Sequence, residues 1–326
     1  MKLVINEKEI DIRLPILGRS CYLVTKSNEY GWFKDGDCII AFYIDKRMIF
    51  KRLVFTTEVI CNNKNISPSE ENKFLNKVVN YIQKYKICDF IYKAQSNVVL
   101  KSCPQESECV KWGTYEVDLK CSKEELFNSF NKKSRNVIRK AIKSGVLIES
   151  CNDVVEVYMN IKNTLLRQKS IHYPSMGYLN KLYDMREHAV FFIVKRDDII
   201  QGSLVLLFDE TRGYATYAGS IEKPFTGSLD LLHFEAMKFL QNKNIALYDF
   251  VGTRVNIIKG SKQEGIDKFK RKFNPKLRTG YAFMMIIRPV KYQLFKLLSK
   301  VYLGLKGYEY TDPILKIKRE ELEGNN

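Results

Sequence analysis

The sequence predicts an α/β (α+β) protein of two domains, each a mixed central sheet flanked by helices. Three observations carry this. Strand and helix signals alternate in a definite order through the C-terminal two-thirds of the 326 residues. Short hairpins there give way to a strand–helix–strand crossover, a connection that joins parallel strands. A weaker copy of the hairpin, helix and strand order precedes them.

The C-terminal copy begins at Ser122-Lys123-Glu124-Glu125, a capping box. Leu126, Phe127, Phe130, Val137, Ile138, Ala141 and Ile142 fall on one helical face, and Gly145 is the stop. The pattern predicts one long amphipathic helix whose other face carries Lys132, Lys133, Arg135, Arg139, Lys140 and Lys143. A short strand near Val146–Glu149 and helices over Val154–Arg167 and Ser175–Met185 follow. Ala189–Lys195, Ile199–Phe208 and Tyr214–Gly219 read as antiparallel strands joined by tight turns. Ser228 caps a helix to about Gln241, and the strand Ile245–Val251 returns parallel. A helix near Glu264–Phe273 and a strand near Thr279–Arg288 are expected to close this domain.

In the N-terminal part, strands are expected at Cys21–Thr25, Cys38–Ile44 and Met48–Ile60. Ser67-Pro68-Ser69-Glu70 is a second capping box with Pro at the first helical position. Its helix runs to about Tyr85, and the strand Cys88–Tyr92 follows. The expected division is 1–118, a degenerate copy, and 119–288, the catalytic copy, with the tail 289–326 left over.

Apolar residues make up 45% of the chain, with 19 Tyr and 19 Phe, enough to pack both cores. No apolar run approaches the ~18–20 residues of a membrane span, and Met1–Glu7 opens no secretory segment. A cytoplasmic protein is therefore expected. The eight cysteines all lie between Cys21 and Cys151 without a Cys-x-x-Cys pair, and predict buried reduced thiols rather than disulfides or zinc. His172, His188 and His233 are scattered and no Ser or Cys nucleophile has a recognisable motif, so neither a triad nor a metal site is expected. The formal net charge of +17 is a field that draws polyanions: RNA, a nucleotide-linked substrate, an anionic membrane or an acidic carrier protein. A lysine-rich solvated surface is the plain alternative.

Three stretches together resemble FemABX-type peptidoglycan aminoacyl transferases. They are Asn131-Lys132-Lys133-Ser134-Arg135-Asn136-Val137-Ile138-Arg139-Lys140-Ala141 ending at Gly145-Val146, Tyr214-Ala215-Thr216-Tyr217-Ala218-Gly219-Ser220, and Tyr248-Asp249-Phe250-Val251-Gly252 with Gly265-Ile266-Asp267-Lys268-Phe269-Lys270-Arg271-Lys272-Phe273. The resemblance implies tandem GNAT-like domains and transfer of an amino acid from aminoacyl-tRNA to an amine of a cell-wall or surface-polysaccharide precursor. Related proteins of polysaccharide clusters imply an alternative, an acyl-CoA or acyl-carrier thioester donor acting on a nucleotide-linked amino sugar. No tightly bound cofactor is implied. The family's precursor-binding segment with proline and glycine has no clear counterpart here, nor has its helical-hairpin insertion.

Acyl transfer to an amine needs a neutral amine, a polarised carbonyl and a stabilised oxyanion. An activated donor needs no covalent nucleophile. The resemblance places Lys270 near the reacting carbonyl, where one oxyanion donor is worth about 3–4 kcal/mol. By spacing alone, Lys268, Lys270, Arg271 and Lys272 read as a solvated run, and Phe269 with Ile266 and Phe273 as core. Asp249 ends a buried strand and is either a proton acceptor for the amine or a structural carboxylate. Tyr217 either donates to the carbonyl or packs.

Thr226-Gly227-Ser228 opens a helix whose amides suit a phosphate of tRNA or pantetheine. Arg135, Arg139 and Lys143 recur at helical spacing and suit the tRNA backbone, or else form a solvated face. Arg254 is placed to take a substrate diphosphate, with Ser220 and Phe269 on the same acceptor side. The tail Lys291–Leu305 is amphipathic, with Val290, Leu294, Leu297, Leu298, Val301 and Tyr302 apolar and Lys291, Lys296 and Lys300 basic. It either packs back on the first domain or touches an anionic membrane, where lipid-linked acceptors reside. A non-catalytic RNA- or membrane-binding module is the reading from another class.

Overall fold

The computed structural model describes residues 1–62, 65–170 and 172–323. The chain divides into two compact units. The first comprises Met1–Thr114, Gly252–Gly265 and Arg278 onward; the second comprises Tyr115–Val251 and Ile266–Leu277.

The first unit opens with β1 (Lys2–Val4), α1 (Ser20–Lys26), β2 (Tyr30–Asp35), β3 (Cys38–Arg47), β4 (Phe50–Phe55), β5 (Ile60–Cys61), α2 (Pro68–Tyr85) and β6 (Phe90–Ile91). β1 through β4 pair antiparallel in sequence order. Then α2 crosses over, and β6 lies parallel to β4 through Arg52↔Phe90 and Leu53↔Ile91. The capping box that starts α2 is formed from both sides, Ser67 to Glu70 N and Glu70 to Ser67 N. Phe74, Leu75, Val78, Val79 and Ile82, spaced for one helical face, bury it on the sheet.

One expected strand is a helix: Cys21–Thr25 lies in α1, and the first long strand is β2. Gly31 hides β2 in the sequence because glycine reads as a breaker. Its role is close approach, since a Cβ there would lie 2.6 Å from the Val4 carbonyl of β1.

The second unit takes the end of β7 (Glu108–Asp118), then α3 (Lys123–Ser129), α4 (Lys132–Lys143), β8 (Leu147–Ser150), α5 (Val154–Arg167), α6 (Met176–Tyr183), β9 (Ala189–Arg196), β10 (Ile199–Phe208), β11 (Arg212–Ser220), α7 (Ser228–Asn242), β12 (Leu247–Asp249) and most of α8 (Lys262–Arg271). Its sheet order is β7-β12-β11-β10-β9-β8. The β9–β10 turn is the two-residue Asp197-Asp198, both with positive φ, as a hairpin of this twist requires. The expected single long helix is two. Phe130 is extended and buried against Phe234 and Phe273, and Asn131 restarts the helix by accepting from Ser134 N at 2.7 Å.

The chain ends with β13 (Lys276–Ile286), α9 (Pro289–Gly304) and α10 (Pro313–Glu323). The strand expected to close the second domain instead pairs antiparallel with β6 of the first unit, through Met285↔Ile91 and Ile286↔Phe90. In the second unit the matching edge of β12 is taken by β7, through Leu247↔Asp118 to Asp249↔Glu116. Strand alternation explains the placement of β13. Phe283 and Met285 enter the core under α2, while Ala282 and Met284 enter the core shared with α9 and α10.

The expectation of reduced thiols is also corrected. Cys38 bonds Cys61, and Cys103 bonds Cys109, leaving Cys21, Cys88, Cys121 and Cys151 free. Cys38 and Cys61 face each other across the β3–β5 pair, a proximity that a spacing of 23 residues conceals.

Candidate active site

In the second unit β11 and β12 are parallel for only three residue pairs, Arg212↔Leu247 to Tyr214↔Asp249. Beyond Asp249 the chain leaves β11, and Phe250 N donates to Tyr115 O of β7. β11 continues to Ser220 along β10, with an extra residue, Thr216, at the bulge where Leu206 pairs Ala215 and Val205 pairs Tyr217. The strands therefore part at Tyr214 and Asp249, and the Tyr214 carbonyl accepts from Thr216 Oγ1 at 3.2 Å.

Lys270 of α8 reaches this parting. Its Nζ donates to the Phe250 carbonyl at 2.9 Å, one residue past the last paired residue of β12. The side chain is 8% exposed, so it is not part of a solvated run. Burial lowers its pKa from 10.5 to about 8, against the opposing pull of the Asp249 and Asp267 carboxylates. A group with that pKa is mostly cationic at pH 7 and exchanges its proton just above. Asp267, one helical turn earlier, is fixed by Tyr115 Oη at 2.5 Å and Arg271 Nε at 2.7 Å.

Asp249 is fully buried. One oxygen accepts from Val251 N at 2.8 Å and the other meets Arg212 Nη1 at 3.1 Å, which also bridges Glu116 at 3.0 Å. That is the partner set of a carboxylate holding a strand end. Tyr217 is half-buried, three residues past the parting, with Tyr178 edge-on at 6.2 Å. Burial raises the pKa of its phenol, which stays neutral and able to donate.

The phosphate-binding expectation at Thr226-Gly227-Ser228 meets a closed helix start. Gly227, not Ser228, is the N-cap, at φ 92°. Gly227 and Ser228 are buried against α4, and a Cβ on Gly227 would lie 2.1 Å from the Val137 carbonyl. Only Thr226 is exposed. The first turn holds its own anion, Asp230, which accepts from Ser134 Oγ at 2.8 Å and pairs with Lys272 Nζ at 3.1 Å. The chain's own carboxylate thus occupies the dipole end that a ligand phosphate would use.

Arg139 and Lys143 are exposed on the outer face of α4, while Arg135 is half-buried and donates to Asn128 O at 2.6 Å. Arg139 also lies over the Phe127 ring at 5.0 Å. Phe269 packs with His233 and Phe273 at 5.3 and 5.5 Å, in the core rather than facing a ligand. Ser220 N donates to Thr164 Oγ1 at 2.8 Å, tying the end of β11 to α5. Arg254 belongs to the first unit. There it pairs with Glu320 at 3.2 Å and lies 5.7 Å from the Trp112 ring centre, while Lys93 Nζ is 3.9 Å from the same ring.

Sequence reasoning missed Arg212, Asp267 and the bulge at Thr216. Asp267 was legible: at i−3 from Lys270 it lies on the same helical face. Arg212 and the bulge depend on strand register and carried no local signal. Among the described residues, no group of three or more His, Cys, Asp or Glu side chains is arranged to hold a metal ion.

A mixed sheet flanked by helices, with a helical crossover onto a parallel strand in each unit, gives a tandem GNAT-like fold. Residues 193–300 match the model of the FemAB family, a span that includes two of the three resembling stretches. The structure is similar to that of FemX, with 16% identity over 90% of this chain and 99% of that chain and a TM-score of 0.65. It is also similar to the C-terminal domain of a protein assigned as a lysylphosphatidylglycerol synthetase from Agrobacterium fabrum, with 13% identity, 85% and 90% coverage and a TM-score of 0.51. A conserved protein of unknown function from Bacteroides thetaiotaomicron gives 11% identity, 85% and 93% coverage and a TM-score of 0.53. No curated protein matches in sequence.

Proposed function

We propose that the chain is an aminoacyltransferase that moves an amino acid from aminoacyl-tRNA to an amine of a cell-wall or surface-polysaccharide precursor. The observation that carries this reading is Lys270, a buried cation fixed where β11 and β12 part. The FemAB match and the FemX-like fold support it. The amine nitrogen attacks the ester carbonyl, forming the C–N bond and an oxyanion. Lys270 Nζ holds the charge on that oxygen, and the Tyr217 hydroxyl is a second donor. Collapse breaks the ester C–O bond, the terminal tRNA oxygen leaves, and the proton lost by the amine goes to that oxygen to give the free hydroxyl.

The start of α7 is closed to a tRNA phosphate as it is to a coenzyme pyrophosphate, so the donor reading rests on the basic face of α4. A coenzyme pyrophosphate held there would meet Asp230 and a glycine packed against α4. The exposed Arg139 and Lys143 of α4, in a chain of net charge +17, supply sequence-independent contacts for a polynucleotide. In the first unit, Lys93 and Arg254 lie beside the Trp112 ring. Arg254 Nη1 is buried without a hydrogen-bond partner, and burial with Arg254's charge lowers the Lys93 pKa to about 7. Charged tRNA and nucleotide-linked precursors are cytoplasmic substrates, which supports a cytoplasmic reaction.

Filter binding of charged tRNA at graded salt tests the reading. Binding at 50 mM salt that falls steeply by 200 mM, and weakens in Arg139→Glu with Lys143→Glu, is the expected result. No binding at low salt, with turnover of acyl thioesters instead, would overturn it.

A further inference from the structure

Helix α9 has two apolar stripes, and only one is used. Tyr292 and Phe295 face inward, with Phe295 at 5.4 Å from Phe50 and 5.0 Å from Phe90, and Tyr292 at 5.1 Å from Phe90. The stripe that the sequence makes most prominent points outward instead. Val290, Leu294, Leu297, Val301 and Leu305 recur at intervals of 4, 3, 4 and 4, one line on a helix. All five are exposed, Val290 by 84%, Leu297 by 59% and Leu305 by 85%. Isolated exposed leucines are ordinary, but a continuous exposed row marks an interaction surface.

A second apolar feature adjoins it. The β3–β4 hairpin tip carries Met48 and Ile49, 85% and 63% exposed. The next residue, Phe50, is the one that packs on Phe295 of α9.

From these features we infer that the outer face of α9, with the Met48–Ile49 tip beside it, docks on the surface of an anionic lipid bilayer. The charges select this occupant. Residues 289–308 contain no Asp or Glu, while Lys291, Lys296, Lys300 and Lys306 lie along the segment. At 100° per residue, Lys291 and Lys300 fall on opposite flanks of the apolar row; Lys300 is exposed, while Lys291 also pairs with Asp89 at 3.3 Å. Lysine flanks on an apolar face are the pattern of a helix lying in a headgroup layer. A second copy of this chain would bring the same lysines against one another. No helix among the described residues is long and apolar enough to cross a membrane, so the contact is peripheral.

The test is flotation of the full chain with vesicles of phosphatidylcholine alone and with about one-third phosphatidylglycerol. The substitutions are at exposed positions: Leu297→Glu with Val301→Glu, and separately Lys300→Glu. The expected result is partition to the anionic vesicles only. It falls at least about tenfold in the double variant, because two buried apolar side chains are lost, and less in Lys300→Glu. Equal thermal melting of the three proteins shows that they are folded. No flotation of the parent chain at low salt overturns the inference. So does unchanged flotation of the double variant, which assigns binding to general surface charge. A parent dimer that the double variant dissociates, without vesicle binding, assigns the face to a second copy instead.

Discussion

The Nζ of Lys270 donates to the carbonyl of Phe250 at 2.9 Å. This bond holds a buried cation at the point where two parallel strands separate, and gives it a pH signature. Its pKa is about 8 in the fold and 10.5 when unfolded. Between those values the unfolded chain binds more protons, so this group makes stability rise with pH from about 8 to 10.5. Below pH 8 its burial cost is fully present. Urea unfolding at pH 7.5 and 9.5 should show this rise relative to Lys270→Met, in which it is absent. An identical pH response in both proteins would mean that Lys270 is not buried as a cation.

His233 gives the opposite end of the pH range. Its Nδ1 lies 2.5 Å from Tyr248 Oη, and burial, then the charges of Lys270 and Lys272, lower its pKa to about 3. The unfolded chain takes up this proton near pH 6.5 and the native chain only near 3. The stability contributed is complete above pH 6.5 and is lost as the pH falls towards 3. His233→Gln should flatten the loss of stability between pH 6.5 and 4.5 in chemical denaturation.

Asp249 is expected to be structural. Removing it as Asp249→Ala takes one of two carboxylates from Arg212, which keeps Glu116, and leaves Val251 N without its acceptor, a loss of about 1–3 kcal/mol for the buried donor. Asp249→Asn should leave the turnover of folded protein within about tenfold, against the 10²–10⁴ lost with a general base. A larger loss at unchanged stability would make Asp249 the proton acceptor.

Gly227→Ala should be among the most damaging single changes. The positive φ alone costs about 1–3 kcal/mol, and the Cβ would sit 2.1 Å from the Val137 carbonyl. Overpacking adds a comparable amount. Thermal melting should show a marked drop, and an unchanged midpoint would mean that α4 and α7 are not packed as described.

Local signals carried much of this fold. The two capping boxes, the hairpins of β9 to β11 and the crossover through α7 were all legible, because each is set by residues close in sequence. Lys270 stood out by its resemblance, although spacing alone gave it to solvent. Other features were hidden because distant residues decide them. Phe130 breaks the basic helix only because Phe234 and Phe273 receive it. β13 reads as the end of the second domain, yet its alternating side chains fill cores of the first. α9 reads as one amphipathic helix, but its aromatic pair took the inward position and left the longer aliphatic row outside. The N-terminus of α7 looked open to phosphate until Asp230 and Val137 were placed beside it.

Lys270 is tested most directly by transfer of labelled amino acids from bulk charged tRNA to a pool of nucleotide-linked amino-sugar and peptide precursors, comparing the parent chain with Lys270→Ala. Label is expected to move to the precursor fraction, with a rate reduced about 10²–10³-fold in the variant, as for one lost oxyanion donor. Equal rates for both proteins, or transfer from acyl thioesters with none from tRNA, would contradict it.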